Sequence, residues 1–206
     1  MKKFDTKKMV ILALLAALLI VMSFTPLGYL NITLLNISFL TIPVAIGAIA
    51  AGPTGGAFLG LVFGITSFAR CFGLNALGTV LCSINPVLTL ILCVVPRVLD
   101  GLILGFVTNG MSKLGAPKYV IFPVVGFLAA ALNTVLYMGS LVLFFGNTEV
   151  IQSYWNELAP EGGVIAFVAA FVGINAVLEA VAATIVTSAV AAALYKAKLI
   201  LSEDRR

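Results

Sequence analysis

Residues 37–70 read "ISFLTIPVAIGAIAAGPTGGAFLGLVFGITSFAR", an apolar stretch with one break near its centre. The break, "GPTGG" at 52–56, combines glycine and proline, which end helices and permit a sharp reversal of the chain. The apolar residues on its two sides predict two membrane-spanning helices joined by a tight turn. Gly56, Gly60 and Gly64 recur every four residues, so they line one helix face and let a neighbouring helix approach closely.

The whole chain has the same apolar character. Of its 206 residues, 62% are hydrophobic and 10% are charged, whereas soluble domains have about 25% charged residues. A soluble fold of this size must expose more polar surface, so the composition indicates an integral membrane protein. We predict an all-α fold with six transmembrane helices in a compact bundle, a single membrane domain over residues 1–206, with a long outer loop between the third and fourth helices. The predicted spans are about 8–24, 37–52, 55–70, 96–112, 119–145 and 164–195.

The basic residues predict the orientation of these spans. Six spans place both termini on one side, and a cytoplasmic location for the termini puts ten of the twelve Lys and Arg residues there. This agrees with the positive-inside rule, whereas a seventh span within 71–94 would put the basic ends on opposite sides. We therefore expect a multi-pass cell-membrane protein with both termini in the cytoplasm. Arg70 and Arg97 then lie at the outer ends of the third and fourth spans.

Arg97 is the most informative polar residue, because charged side chains inside spans are costly and tend to face a cavity. Its guanidinium offers forked donors that suit a carboxylate or a phosphate. Asp100 lies one turn on and would orient the Arg97 side chain without contacting the ligand itself. The alternative is an Arg97–Asp100 ion pair that only stabilises the helix. Glu179 is predicted to have a structural or second-shell role, below an outer cavity.

Nothing in the sequence predicts an enzyme. The chain has no histidine, which argues against haem, zinc and His-based catalysis. It contains no catalytic-triad or metalloprotease motif and no phosphate-binding loop, so we expect no cofactor, no metal and no ATP hydrolysis by this chain. Cys71, Cys82 and Cys93 form no CxxC motif and are read most simply as small apolar residues.

Three features together resemble a known family. They are the small-residue first span "LALLAAL", the block at 37–68 with "GP" followed by GAxLGxxFGxxSF, and the later "NP…VPRVLDGLILG". With them the chain, over about 8–198, is similar to the substrate-binding S components of energy-coupling factor (ECF) vitamin transporters, in the pantothenate-like branch. The resemblance implies a six-helix protein whose outward cavity is roofed by the loops after spans one and three and lined by spans four to six.

The same resemblance implies partners and site residues. An ECF membrane subunit and two cytoplasmic ATPases would complete the transporter, and Ala13 and Ala17 match the family's Ala-xxx-Ala contact with the membrane subunit. An arginine at the cavity favours a small anionic vitamin, with pantothenate as the first choice. The candidate ligand-binding residues, which are polar or aromatic and fall near the predicted cavity, are Arg97, Asn133, Asn85, Asn175, Tyr137, Ser67 and Phe68. The amides have an alternative role as hydrogen-bonding groups between helices.

Several functions stay open at this level. Folate, lipoate, niacin or a queuosine precursor could replace pantothenate as the ligand. A self-sufficient proton- or ion-coupled transporter would give Glu179 a proton-carrying role. A purely structural membrane subunit would bind no vitamin at all.

Overall fold

The computed structural model describes residues 6–26, 28–31 and 36–200, and this part of the chain is almost entirely helical. The helices are α1 (Thr6–Ser23), α2 (Thr41–Arg70), α3 (Ala76–Ile84), α4 (Pro86–Lys113), α5 (Lys118–Phe145), α6 (Glu149–Leu158) and α7 (Val164–Lys196). Two short strands, β1 (Tyr29–Asn31) and β2 (Asn36–Ser38), form an antiparallel hairpin between α1 and α2. The helical fold class is confirmed, and the hairpin is a feature that the sequence analysis did not predict.

Within the described residues, five helices are long and apolar enough to cross a membrane. They are Thr6–Ser23, Thr41–Arg70, Pro86–Lys113, Lys118–Phe145 and Asn175–Lys196. Six spans were predicted and five are found because the single helix α2 contains the predicted span 55–70 and most of the predicted span 37–52. The count of six crossings therefore stays a prediction. Lys2, Lys3, Arg205 and Arg206, which entered the orientation argument, lie outside the described residues.

Helix α2 folds back on itself at Gly52. Gly52 has φ 72° and ψ −155°, a conformation open to glycine but strained for other residues. A Cβ atom on Gly47 would lie 2.2 Å from the Leu59 side chain, although twelve residues of straight helix span about 18 Å. The arms 41–51 and 53–70 therefore lie side by side, as the Gly-Pro break predicted.

The glycine stripe on α2 packs directly against the backbone of α4. A Cβ atom on Gly56 would lie 2.0 Å from the carbonyl oxygen of Gly101, and one on Gly60 would lie 2.2 Å from that of Arg97. A Cβ atom on Gly64 would lie 2.7 Å from Cα of Val94. The predicted close approach is confirmed, and it brings Arg97 against the second arm of α2.

The fourth predicted span begins ten residues too late. Helix α4 starts at Pro86, and the side chain of Asn85 caps it by accepting hydrogen bonds from the amides of Val87 and Leu88, both at 3.1 Å. An Asn cap followed by proline at the first helical position is a strong start signal, whereas Pro96 follows a valine and lies inside the helix. The connection predicted over residues 71–94, partly helical and on the outer side, contains α3, the short segments that flank it and the first residues of α4. Its outer position stays a prediction.

Helix α7 is broken at Gly173, which has φ 52° and ψ −143°. The part that is long enough to cross a membrane starts at Asn175, and Val164–Gly173 forms a shorter apolar helix. Helix α6 covers this first part, where the Trp155 ring stacks on Phe167 with centroids 4.7 Å apart. The predicted span 164–195 thus consists of two helical segments that meet at the level of the cavity described below.

Candidate functional site

A cavity of about 120 Å³ lies among α2, α3, α4, α5 and α7, with Ser38 of β2 on its wall. It borders two apolar clusters, one of which includes Phe63 while the other includes Leu81, Leu92 and Met138. Polar residues of α2, α4, α5 and α7 also line it. Those that the sequence analysis singled out are Arg97, Asn133, Asn175, Tyr137, Ser67 and Glu179.

Arg97 is positioned by the proline that precedes it. Proline has no amide hydrogen, so Pro96 leaves the carbonyl of Leu92, four residues earlier, without its helical partner. The Nη1 atom of Arg97 donates a hydrogen bond to this carbonyl at 2.8 Å. The side chain is consequently held along its own helix, and only 7% of Arg97 is exposed.

Aromatic rings flank the Arg97 guanidinium. Its Cζ atom lies 4.2 Å from the Tyr137 ring centroid and 5.4 Å from the Phe63 ring centroid. Both distances are within the range of cation–π attraction, which favours a desolvated cation at this position. The Nε atom of Arg97 is buried and has no hydrogen-bond partner among the described residues. An anionic group in the cavity could satisfy the remaining donors.

Asp100 lies beside this site and outside the cavity lining. It is 1% exposed, and its Oδ1 atom is buried without a hydrogen-bond partner in the described part of the chain. Because Arg97 Nε and Asp100 Oδ1 are both unpaired, no hydrogen bond joins these two atoms. An ion pair between the two side chains would have to use their other atoms, so the alternative in which Arg97 only pairs with Asp100 stays open.

Glu179 lines the cavity, contrary to the prediction that it would lie below it. Its Oε2 atom accepts a hydrogen bond from the Ser38 amide at 3.3 Å, which ties α7 to the β-hairpin. Its Oε1 atom is buried and has no partner among the residues described. The break at Gly173 explains the error, because it redirects α7 and the depth of Glu179 cannot be counted along one straight helix.

Asn133 and Asn175 face the cavity from α5 and α7, as the sequence analysis expected. Asn133 is 8% exposed, and its Oδ1 atom lacks a hydrogen-bond partner within residues 6–26, 28–31 and 36–200. Leaving a buried amide oxygen unpaired costs about 1–3 kcal/mol. A ligand with a hydroxyl or amide donor would remove this cost.

Two predicted site residues do not line the cavity. Asn85 uses its side-chain oxygen to cap α4, and Phe68 packs edge-on against Phe72 with ring centroids 5.3 Å apart. Phe63, five residues before Phe68, provides aromatic surface to the cavity instead. Phe63 and Ser67 are four residues apart and therefore lie on the same face of α2, whereas Phe68 lies on a different face. This explains why Phe63 lines the cavity and Phe68 does not.

The sequence analysis missed other lining residues, among them Cys71 and Cys93. Cys93 lies four residues before Arg97 and thus on the same face of α4, a spacing that could have identified it. Cys71 follows α2 directly and lies four residues after Ser67, so the same spacing could have identified it. Arg70, its neighbour, donates to the Ser23 carbonyl at the end of α1.

The first helix presents a different kind of surface. Ile11, Leu15 and Leu19 form its buried face, while Ala13 and Ala17 are exposed on the outside of the bundle. The two alanines leave a shallow surface where a partner helix could approach closely.

A buried arginine and unpaired polar atoms on the wall of a largely apolar cavity are features typical of small-molecule binding sites. The chain belongs to the ECF transporter substrate-specific component family, whose model matches residues 7–191. It is also 31% identical to the pantothenic acid transporter PanT of Lactococcus lactis subsp. cremoris (strain MG1363), over 96% of this chain and 98% of that protein. These similarities confirm the family resemblance that the sequence motifs indicated.

Proposed function

We propose that this chain is the pantothenate-binding S component of an ECF transporter. The observation that carries the proposal is Arg97, a buried guanidinium on the cavity wall that retains an unpaired Nε donor. Pantothenate is a carboxylate with an amide and two hydroxyl groups. Arg97 would bind the carboxylate, while Asn133 Oδ1 and Glu179 Oε1 would accept hydrogen bonds from ligand donors.

The volume of the cavity suggests how the ligand is enclosed. The cavity measures about 120 Å³, whereas ligand pockets typically measure roughly 300–1,000 Å³. Its wall includes Ser38 of β2 and Leu77, Gly78 and Leu81 of α3, which belong to the segments after the first span and after the α2 hairpin. We expect these two segments to move outward when the vitamin binds.

The proposed topology has six crossings, with the two arms of α2 counted separately. Both termini would then lie in the cytoplasm, and so would Lys113 at the end of α4 and Lys118 at the start of α5. The exposed Ala13 and Ala17 would contact the ECF membrane subunit. Two cytoplasmic ATPases would supply the energy for delivery of the vitamin into the cell.

Binding to the purified chain tests the proposal directly. Isothermal titration calorimetry in detergent, without ATP, should give saturable binding of pantothenate. Pantothenol, in which a hydroxymethyl group replaces the carboxylate, is the matched control and should bind more weakly. A folded protein that binds neither compound, or that binds another vitamin in preference to pantothenate, would contradict the assignment.

A proton-coupled transporter is the second candidate, and the position of Glu179 favours it. A buried carboxyl group on the wall of a transport cavity is a common element of proton pathways in membranes. The candidate requires uptake by the isolated chain in proteoliposomes, driven by a proton gradient without an ATPase. The S-component proposal requires ATP and the ECF subunits for the same uptake.

A further inference from the structure

Two of the three cysteines lie together on the cavity wall. The Sγ atoms of Cys71 and Cys93 are 3.9 Å apart, although the residues are separated by 22 positions in sequence. Cys71 is 2% exposed and Cys93 is 4% exposed. Cys71 directly follows α2 and Cys93 lies within α4, so the pair joins two elements that come together only in the folded chain.

Backbone packing brings the two sulfur atoms close together. Gly64 of α2 packs against Val94, the residue after Cys93. Gly78 of α3 lies over Cys71, and a Cβ atom there would be 2.7 Å from the Cys71 sulfur. The Cys71 thiol also contacts the Ser67 carbonyl at 3.5 Å. The juxtaposition of the thiols is therefore a consequence of how α2, α3 and α4 pack.

We infer that Cys71 and Cys93 form an oxidisable dithiol that a peroxide converts into a disulfide bridge across the cavity wall. A neighbouring cation makes a thiol more reactive, and Arg97 lies one helical turn from Cys93. Both residues line the cavity, which gives a small oxidant a route to them. The sulfurs must approach to about 2.05 Å. Cys71 can move because it lies at a helix end, two residues before Gly73 with φ 110°.

The reaction balances with one peroxide molecule. One thiol attacks the peroxide, so that an S–O bond forms, the O–O bond breaks and one water leaves. The second sulfur then attacks the sulfenic sulfur, so that the S–S bond forms, the S–O bond breaks and a second water leaves. The two thiols lose two protons and two electrons, and hydrogen peroxide is reduced to two waters.

The bridge would close residues 71–93 into a covalent loop that contains α3. Leu77, Gly78 and Leu81 of α3 line the cavity, so the disulfide would restrain one wall of the cavity against α4. This consequence concerns the wall itself and does not depend on which molecule the cavity binds. Peroxide would therefore hinder the outward movement of α3, because the disulfide ties this wall to α4.

Counting free thiols by mass spectrometry tests the inference. The third cysteine is first removed by Cys82→Ser, so that only Cys71 and Cys93 can react. Cys82→Ser protein, full length in detergent, is treated with hydrogen peroxide and then labelled with a maleimide. We expect loss of both labelling sites together, a mass lower by two hydrogen atoms before labelling, and recovery of both sites with dithiothreitol. The oxidised protein should also unfold at a higher temperature than the reduced protein, because the bridge restricts the unfolded chain.

Single-thiol variants provide the controls. Cys71→Ser and Cys93→Ser, each in the Cys82→Ser background, should keep one labelling site or add oxygen, with no intramolecular bridge. Three results would overturn the inference: oxygen addition without a bridge in the two-thiol protein, bridges only between molecules, or a wild-type bridge that involves Cys82.

Discussion

Replacing Arg97 by glutamine should separate the binding role of this residue from its structural role. Glutamine removes the charge and retains an amide donor. A charge-assisted hydrogen bond contributes about 1.5–3 kcal/mol, so the affinity for pantothenate should fall about 10- to 150-fold. Isothermal titration calorimetry on the purified variant measures this directly. Affinity for the neutral analogue pantothenol should change much less, because that ligand offers Arg97 no carboxylate.

The Arg97→Gln substitution also removes a hydrogen bond within α4, and a second substitution can restore a partner for the same carbonyl. Arg97 donates to the Leu92 carbonyl at 2.8 Å, which Pro96 leaves unpaired. Without Arg97 this buried carbonyl would have no hydrogen-bond partner, which lowers the free energy of unfolding by about 1–3 kcal/mol. In the double variant Pro96→Ala with Arg97→Gln, the new amide at 96 can restore the helical hydrogen bond, so thermal stability should recover while affinity stays low. Wild-type affinity in a folded Arg97→Gln protein, or equal losses for the two ligands, would refute the reasoning.

Three further predictions follow from other parts of the molecule. Gly60→Ala should destabilise the protein by about 1–3 kcal/mol in detergent unfolding, because the added methyl group overpacks the α2–α4 contact, whereas Gly139→Ala, with no described atom within 4 Å of the new Cβ, should be tolerated. Glu179→Gln should weaken pantothenate binding but leave ATP-driven uptake in reconstituted transporters intact; complete loss of uptake with normal binding would favour proton coupling. Ala13→Leu with Ala17→Leu should leave binding by the isolated chain unchanged and reduce co-purification with the ECF membrane subunit.

Sequence reasoning predicted the parts of the site that depend on local spacing. Arg97, Asn133 and Tyr137 were identified because polar residues are rare in apolar spans, and residues three or four apart share a helix face. The same reasoning failed where the chain departs from a regular helix. Asn85 was assigned to the ligand although it caps α4, and Glu179 was placed below the cavity because the break at Gly173 could not be seen in an apolar run.

The sequence by itself determined that this is a helical membrane protein, that a glycine-proline turn divides residues 37–70, and that the family motifs belong to ECF substrate-specific components. Composition, turn chemistry and motif spacing are local properties, so they can be read without coordinates. Only the tertiary structure decided that Pro96 positions Arg97 through the Leu92 carbonyl, that Phe63 and Glu179 reach the cavity, and that Cys71 meets Cys93. These contacts depend on the phase of each helix and on the angles between helices, which are set by packing between segments distant in the chain.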